Sequence, residues 1–281
     1  MEKNLNTFIG CNSDYERAKI AIFGAPFDGT ASYRPGSRFA PNAIRHESFG
    51  IETYSPYLNK DLEDIKVFDC GDLDLPFGNP KRVVDIIEDF TKKLLKHNKK
   101  PCMIGGEHLV SLGAIKACSK QFENLHIVHF DAHADLRNEY FGEELSHASV
   151  IRRAWDIVGD GKIFQFGIRS GCREEFKWGE EHVFTNKFNF DNIKEIVKKV
   201  GNNPVYFTID LDVLDPSEFM GTGTPEAGGV SFKELLNACI DVFRLNVIAF
   251  DINELAPNYD QSGASTALAC KLLRELLLLA D

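Results

Sequence analysis

No two cysteines in the sequence are spaced C-x-x-C, and the seven that occur (Cys11, Cys70, Cys102, Cys118, Cys172, Cys239 and Cys270) form an odd set. That excludes a zinc knuckle and gives no sign of a disulfide framework. The first twenty residues, MEKNLNTFIGCNSDYERAKI, lack the apolar centre of a signal peptide. Aliphatic runs such as LLLLA near the end fall far short of the roughly 20 residues that a membrane span needs. A cytoplasmic protein without a membrane partner is expected. No G-x-G-x-x-G follows an apolar run and no G-x-x-x-x-G-K occurs, so nucleotide binding has little support. Positive charge is in the minority: 32 Lys and Arg stand against 42 Asp and Glu, a formal net charge of -10. Such a balance argues against nucleic acid as a partner and is compatible with a small cationic substrate. Internal repeats, low-complexity stretches and linkers are missing as well. The 281 residues, 43% hydrophobic and 26% charged, therefore read as one domain, 1–281.

What the sequence does contain is a regular alternation. Eight short apolar runs rich in Val, Ile or Phe occupy residues 20–23, 65–69, 101–105, 125–130, 162–167, 182–185, 204–209 and 246–250. Continuous apolar runs of this length read as parallel strands buried on both faces. Helix-like segments lie between several of them, at 80–97, 109–120, 149–158, 190–200 and 231–243. Ser231 followed by Glu234 is a capping box that opens the last of these. The alternation predicts an α/β fold with a parallel sheet covered on both faces.

In open α/β sheets, ligand sites lie beyond the carboxyl ends of the strands. Four runs here are followed by polar groups suited to chemistry. "PCMI" leads to GGEH and His108. "LHIVHF" leads to Asp131, His133 and Asp135. "PVYFTI" leads to Asp210 and Asp212. "NVIAF" leads to DINE and Glu254. If the chain stays extended, residues i, i+2 and i+4 point one way, so D-x-H-x-D and D-x-D each aim their groups together. A lone D-x-D is usually a turn, and a lone histidine after a strand is usually a core or cap residue. Several strand ends carrying the right ligand types together are not a pattern that solvation produces. Two His and four Asp would repel or stay protonated without cations. Two ions about 3.5–4 Å apart, sharing bridging carboxylates, would use the full set. Oxygen-rich, thiolate-free ligation favours Mn²⁺.

The blocks GGEH, FDAHAD, TIDLDVLDP and GTGTPEAGG resemble the signature blocks of the ureohydrolases, the arginase and agmatinase family. The resemblance runs from FGAPFDGTASYRPGSRFAPNAIR (23–45) to DINELAPNYDQSGASTALACKLL (251–273), and these two outer blocks are similar to the agmatinase branch. It implies a three-layer α/β/α fold with a central, mostly parallel eight-stranded sheet, in a homo-oligomer (a trimer or hexamer). It implies two Mn²⁺ per chain, bound by His108, Asp131, His133, Asp135, Asp210 and Asp212. The activity implied is hydrolysis of agmatine to putrescine and urea by a hydroxide bridging the two ions. The alternatives are another guanidine substrate (guanidinobutyrate or arginine) or, more distantly, amide hydrolysis of the deacetylase type with a single zinc. A catalytically silent metal-binding scaffold is the non-enzymatic alternative.

The same resemblance assigns roles. Asp135 would pass a proton to the leaving amine, Glu254 would pair with the guanidinium, and His147 would shuttle protons with a near-neutral pKa. Thr224 would lie at the substrate. Gly221, Gly223, Gly228 and Gly229 read as turn formers, Asp215 before Pro216 as a turn residue, and His129 as a supporting or core residue. His46, His97, His126 and His182 receive no role. Selectivity must come from the distal end of the substrate. There Glu139, Glu143 or Glu144 is a candidate to attract a second cation, while Arg137 could meet a carboxylate or pair with a glutamate.

Overall fold

The computed structural model describes Met1 and residues 6–281. All eight predicted strands are present: β1 (Ile20–Gly24), β4 (Val67–Asp72), β5 (Lys100–Ile104), β6 (His126–Phe130), β7 (Ile163–Ile168), β8 (Phe184–Lys187), β9 (Pro204–Asp210) and β10 (Asn246–Asn253). They form one sheet in the order β4-β1-β5-β10-β9-β6-β7-β8, and every pairing is parallel. A small antiparallel pair, β2 (Tyr54–Ser55) and β3 (Lys60–Asp61), stands apart.

The sheet is sandwiched. Ile20 and Ile22 of β1, with Val128 and Phe130 of β6, face one apolar cluster. Ala21 and Phe23, with Ile127, face the other. Alternate side chains of a strand leave by opposite faces, so both faces must be apolar and both must be covered. Helices α1 (Ala40–Glu47), α6 (Ile193–Val200), α7 (Phe232–Val242) and α8 (Ala264–Ala280) cover the first face. Helices α2 (Pro80–Lys96), α3 (Ser111–Gln121) and α4 (Val150–Val158) cover the second, and Phe176 and Trp178 of α5 (Arg173–His182) pack on its edge. The Ser231–Glu234 capping box forms as predicted: Glu234 accepts the Ser231 amide at 2.8 Å and Ser231 Oγ accepts the Glu234 amide at 3.3 Å.

Helices α1, α5 and α8 have no counterpart among the predicted segments. In α8, the consecutive residues Leu276, Leu277 and Leu278 are all buried, so no polar face marks a helical period. Helix α5, REEFKWGEEH, buries only Glu175 and Gly179 and offers almost no apolar stripe. Among the described residues no helix is long and apolar enough to cross a membrane, and all seven cysteines are free.

The sheet order sets the location of the site. Strands β5, β10, β9 and β6 are the four that carry the polar groups, and they are the four adjacent central strands. Four segments distant in sequence therefore end side by side.

One buried ion pair ties α1 to the edge strand. Arg45, 1% exposed, donates through Nε and Nη2 to the two oxygens of Asp69 at 2.8 and 2.9 Å and also pairs with Asp72. Removing one partner of such a pair strands a buried charge. Arg45→Met is expected to cost about 3–5 kcal/mol in urea unfolding, while a loss below about 1 kcal/mol would show that Asp69 finds other compensation.

Candidate active site

The six predicted ligands come together. His108 Nδ1 lies 3.0 Å from Asp131 Oδ2, 3.5 Å from Asp135 Oδ2 and 3.4 Å from Asp210 Oδ2. His133 Nδ1 lies 3.0 Å from Asp212 Oδ2 and 3.5 Å from Asp131 Oδ1. Asp131 thus turns one oxygen to each histidine and joins the two groups. Ligand atoms of His108, His129, Asp131 and Asp135 lie within 4.8 Å of one another, and so do those of Asp131, His133 and Asp212.

The extended comb, however, is not how the chain achieves this. Asp131 Oδ1 accepts the His133 amide at 2.5 Å, which folds the chain into a turn, and Asp135 has a left-handed backbone with φ 52. Asp210 Oδ1 accepts the Asp212 amide at 2.8 Å, and residues Leu211–Val213 form a 3-10 turn. Alternate residues of a true strand sit roughly 6–7 Å apart. Turns draw the carboxylates closer than that, as shared cations require.

Side chains that sequence reading missed hold the histidines. His108 Nε2 lies 2.8 Å from Thr208 Oγ1, whose proton goes to Asp251 Oδ1 at 2.6 Å. Thr208 can only accept from the imidazole, so Nδ1 is the nitrogen turned to the carboxylates. Asp251 is fully buried, with Tyr206 OH and Asn253 Nδ2 as further donors. Phase was the available signal: Thr208 is two residues from Tyr206 and from Asp210, and Asp251 is two from Asn253. His129 is a supporting residue, as expected. Its Nε2 lies 2.8 Å from Asp131 Oδ2, and Gln165 Nε2 lies 3.0 Å from its Nδ1.

The electrostatics call for positive charge. Burial, then the neighbouring aspartates, pushes Asp135 and Asp210 well above the ordinary carboxylate range. Burial opposes protonation of His108, yet its bonds to Asp131 and Asp210 raise it well above a free imidazole. His133 is raised likewise, against burial, chiefly by the charge of Asp212. Protons are held where cations belong. Four carboxylates and two imidazoles, without a thiolate, fit hard or borderline divalent ions.

A cavity of about 360 Å³ opens over this cluster and is lined by His133, Asp135, Arg137, His147, Thr224 and Glu254 among others. Glu254 follows β10 with a left-handed backbone, φ 67, and its Oε1 accepts the His108 amide at 2.8 Å. Burial, then the charge of Glu107, pushes it up to about 8. Thr224 donates to Asp212 Oδ2 at 3.3 Å. His147 opens the turn before α4, with Thr30 and Ser32 hydroxyls at its ring nitrogens. Burial pushes its imidazole down to about 4, below the near-neutral value that the resemblance implied.

The distal end also differs from expectation. None of Glu139, Glu143 and Glu144 lines this cavity; all three line a neighbouring one with Phe141 and Lys81. Apart from Asp135, Asp210 and Glu254, the acid that lines it is Glu175, which accepts the Leu136 and Cys172 amides at 3.0 and 2.7 Å. Arg137 Nε is 3.6 Å from Glu175 Oε2, and its guanidinium sits 4.8 Å from the Tyr140 ring centre. Asp215 is a turn residue as predicted, accepting the Ser217, Gly228 and Gly229 amides. Of the loop glycines only Gly228 is left-handed, at φ 82; a Cβ on Gly229 would lie 2.5 Å from the Asp215 amide nitrogen, so close packing excludes one. His46, His97, His126 and His182 lie outside the cavity lining.

Residues 18–279 match the arginase family. The chain belongs to that family. It is 49% identical to an agmatinase of Bacillus cereus over 276 residues, covering 96% of this chain and 95% of the relative. It is 38% identical over 266 residues to an N(1)-aminopropylagmatine ureohydrolase of Thermococcus kodakarensis, covering 92% and 89% of the two chains. Its fold matches the crystal structure of the agmatine ureohydrolase of Thermoplasma volcanium with a TM-score of 0.90, at 34% identity, over 99% of this chain and 94% of that one. The chain is an arginase-family enzyme, and its GGEH, FDAHAD and TIDLDVLDP blocks lie at the ends of the central strands β5, β6 and β9.

Two outcomes follow from this geometry. Thr208→Val removes the acceptor behind His108 while keeping the shape. It should weaken divalent-metal uptake about 10–100-fold in calorimetric titration, the usual effect of losing an outer-shell partner. His147 carries a pH signature. A free imidazole titrates near pH 6.5, whereas the folded one is pushed down to about 4. Between these values the unfolded chain binds a proton that the folded chain does not. The stability contributed by neutral His147 is thus present above about pH 6.5 and lost as the pH falls toward 4. His147→Asn should flatten that part of the profile, measured by urea denaturation from about pH 4.5 to 7.

Proposed function

We propose that this arginase-family enzyme hydrolyses agmatine to putrescine and urea, with two Mn²⁺ held by His108, Asp131, His133, Asp135, Asp210 and Asp212. The observation that carries the reading is Glu254. It is a buried carboxylate on the cavity wall, beside the ligand cluster, and its neighbours are an amide donor and a second carboxylate, Glu107. A cation bearing several N–H donors is what such a group lacks, and a guanidinium supplies both in one plane.

Two divalent ions in this cluster would lower the pKa of water and so make a nucleophile available at neutral pH. The chain's own residues do the rest. Glu254 would hold the guanidinium in a fixed orientation over the cluster. Asp135, which lines the cavity beside His108, would pass a proton to the departing amine. His147, whose neutral form burial favours, would relay a proton. Thr224, bound to Asp212, would border the substrate.

The distal end favours a cation. With Asp135 and Asp210 assigned to the ions and Glu254 to the guanidinium, Glu175 is the remaining acid of the cavity lining; among the described residues Arg137 is the one Lys or Arg there, 3.6 Å from Glu175 and over the Tyr140 ring. A guanidinobutyrate carboxylate would have to compete for that arginine. This keeps guanidinobutyrate as the second reading, with Arg137 as its anchor. A one-zinc amide hydrolase would leave the Asp131–His133–Asp212 group without a task, and a silent scaffold would not need Glu254 and His147 on the same wall. The proposed catalytic unit is a single domain, 1–281, supported by one sheet whose strands run from residue 20 to 253. A homo-oligomer, trimer or hexamer, is proposed with it and can be read by light scattering.

The test is a urea-release panel on Mn²⁺-loaded protein with agmatine, arginine, guanidinobutyrate and N(1)-aminopropylagmatine. Agmatine should show the highest kcat/KM; a preference for guanidinobutyrate overturns the substrate and points to Arg137. Elemental analysis should approach two Mn²⁺ per chain, and full activity at one ion would refute the paired site. Asp131→Asn should lose both metal and activity, because an amide cannot neutralise two ions.

A further inference from the structure

Glu107, the acid within GGEH, is 1% exposed and takes no part in the ligand set. Its carboxylate is spent instead on the loop that follows β1. Oε1 accepts the Thr30 hydroxyl at 2.6 Å and Oε2 accepts the Thr30 amide at 3.0 Å. The two loops are locked in the backbone as well. The Glu107 amide donates to Phe27 O at 2.7 Å, and a Cβ on Gly106 would lie 2.0 Å from that same oxygen. Thr30 in turn meets His147, which is 117 residues away: Oγ1 accepts the His147 amide at 3.1 Å and lies 3.5 Å from ring Nδ1. Ser32, which lines the cavity, places Oγ 3.3 Å from Nε2.

A threonine hydroxyl has one proton. Here Glu107 Oε1, which also faces the Thr30 amide at 3.2 Å, takes it, so toward His147 the hydroxyl oxygen accepts. That favours a proton on Nδ1 and leaves the Nε2 lone pair turned toward Ser32. From this we infer that Glu107 and Thr30 are a positioning pair: they set the place and the tautomer of His147 relative to the metal-ligand loop. The inference rests on the reading of His147 as the proton-moving group. Glu107 and Thr30 act through His147 and need not touch the substrate. In the competing view Glu107 and Thr30 only staple two loops, and a staple would not discriminate among His147 tautomers.

The experiment compares Thr30→Val, Thr30→Ser, His147→Asn and the Thr30→Val/His147→Asn double variant, all Mn²⁺-loaded, by urea release against pH. Thr30→Val should lower kcat about 10–100-fold, the scale of a misplaced proton-transfer group. KM and Mn²⁺ content should stay close to wild type, and the acid-side limb of the kcat profile should move. Thr30→Ser keeps the hydroxyl and should recover most of the rate. The double variant should be no slower than His147→Asn alone, because the two act as one unit. The inference falls if Thr30→Val is as fast as wild type while His147→Asn is slow. Multiplying losses in the double variant, or a Thr30→Ser as slow as Thr30→Val, would overturn it too. A fully active His147→Asn instead overturns the proton-moving reading itself, and the positioning role with it. Nitrogen chemical shifts of His147 in ¹⁵N-labelled, Mg²⁺-loaded protein need no variant. Nδ1–H with a bare Nε2 is expected, and the opposite tautomer refutes the pair.

Discussion

Four aspartates and a glutamate buried against two histidines cannot all carry charge unaided. This one constraint organises the centre of the molecule. Like charges in a low-dielectric interior either take up protons or take up cations. The raised carboxyls of Asp135 and Asp210 and the raised imidazoles of His108 and His133 are that demand expressed in protons. The sheet order follows suit, since only the adjacent β5, β10, β9 and β6 can deliver these groups to one spot. Both faces of the sheet are sealed by helices, so the polar groups are forced to the carboxyl edge, where the loops can enclose them.

Around the cluster lies a layer of ordinary side chains that determines which atom of each ligand is presented. Thr208 and Asp251 turn His108, Gln165 and His129 support Asp131, and Thr224 rests on Asp212. Each is a hydrogen bond of modest net worth, yet its loss would leave a buried partner unsatisfied. The left-handed backbones of Asp135 and Glu254 belong here too. Neither residue is a glycine, and each sits where a carboxylate must face the cavity. Such conformations persist only where the surrounding structure over-determines them.

The cavity wall separates the reacting end from the choosing end. The inner wall is built from strand-end residues held rigidly by the sheet. Loop residues add to the wall, with Arg137 3.6 Å from Glu175 and its guanidinium 4.8 Å from the Tyr140 ring centre. Loops on a rigid scaffold are where substrate choice varies within a fold. In the proposed reaction, the chemistry at the guanidinium is thereby decoupled from the recognition of the substrate's far end.

Much of this is legible in the order of the amino acids alone. Eight apolar runs became eight strands, because a strand buried on both faces must be apolar throughout and only a few residues long. The residues after four of them became the cluster, because strand ends are where a parallel sheet exposes polar groups. Helix α8 stayed hidden since it is buried nearly all round, Arg274 and Glu275 included, and α5 since it has almost no apolar side. The comb of alternating ligands reached the right place for the wrong reason: local side chain-to-amide bonds at Asp131 and Asp210 made turns where periodicity suggested an extended chain. Composition and period report what each segment buries. They carry no information on which loop lies beside which. That the acidic loop turns to a neighbouring cavity, that Glu175 meets Arg137, and that Thr30 meets His147 across 117 residues were decided only when the sheet brought its strand ends together.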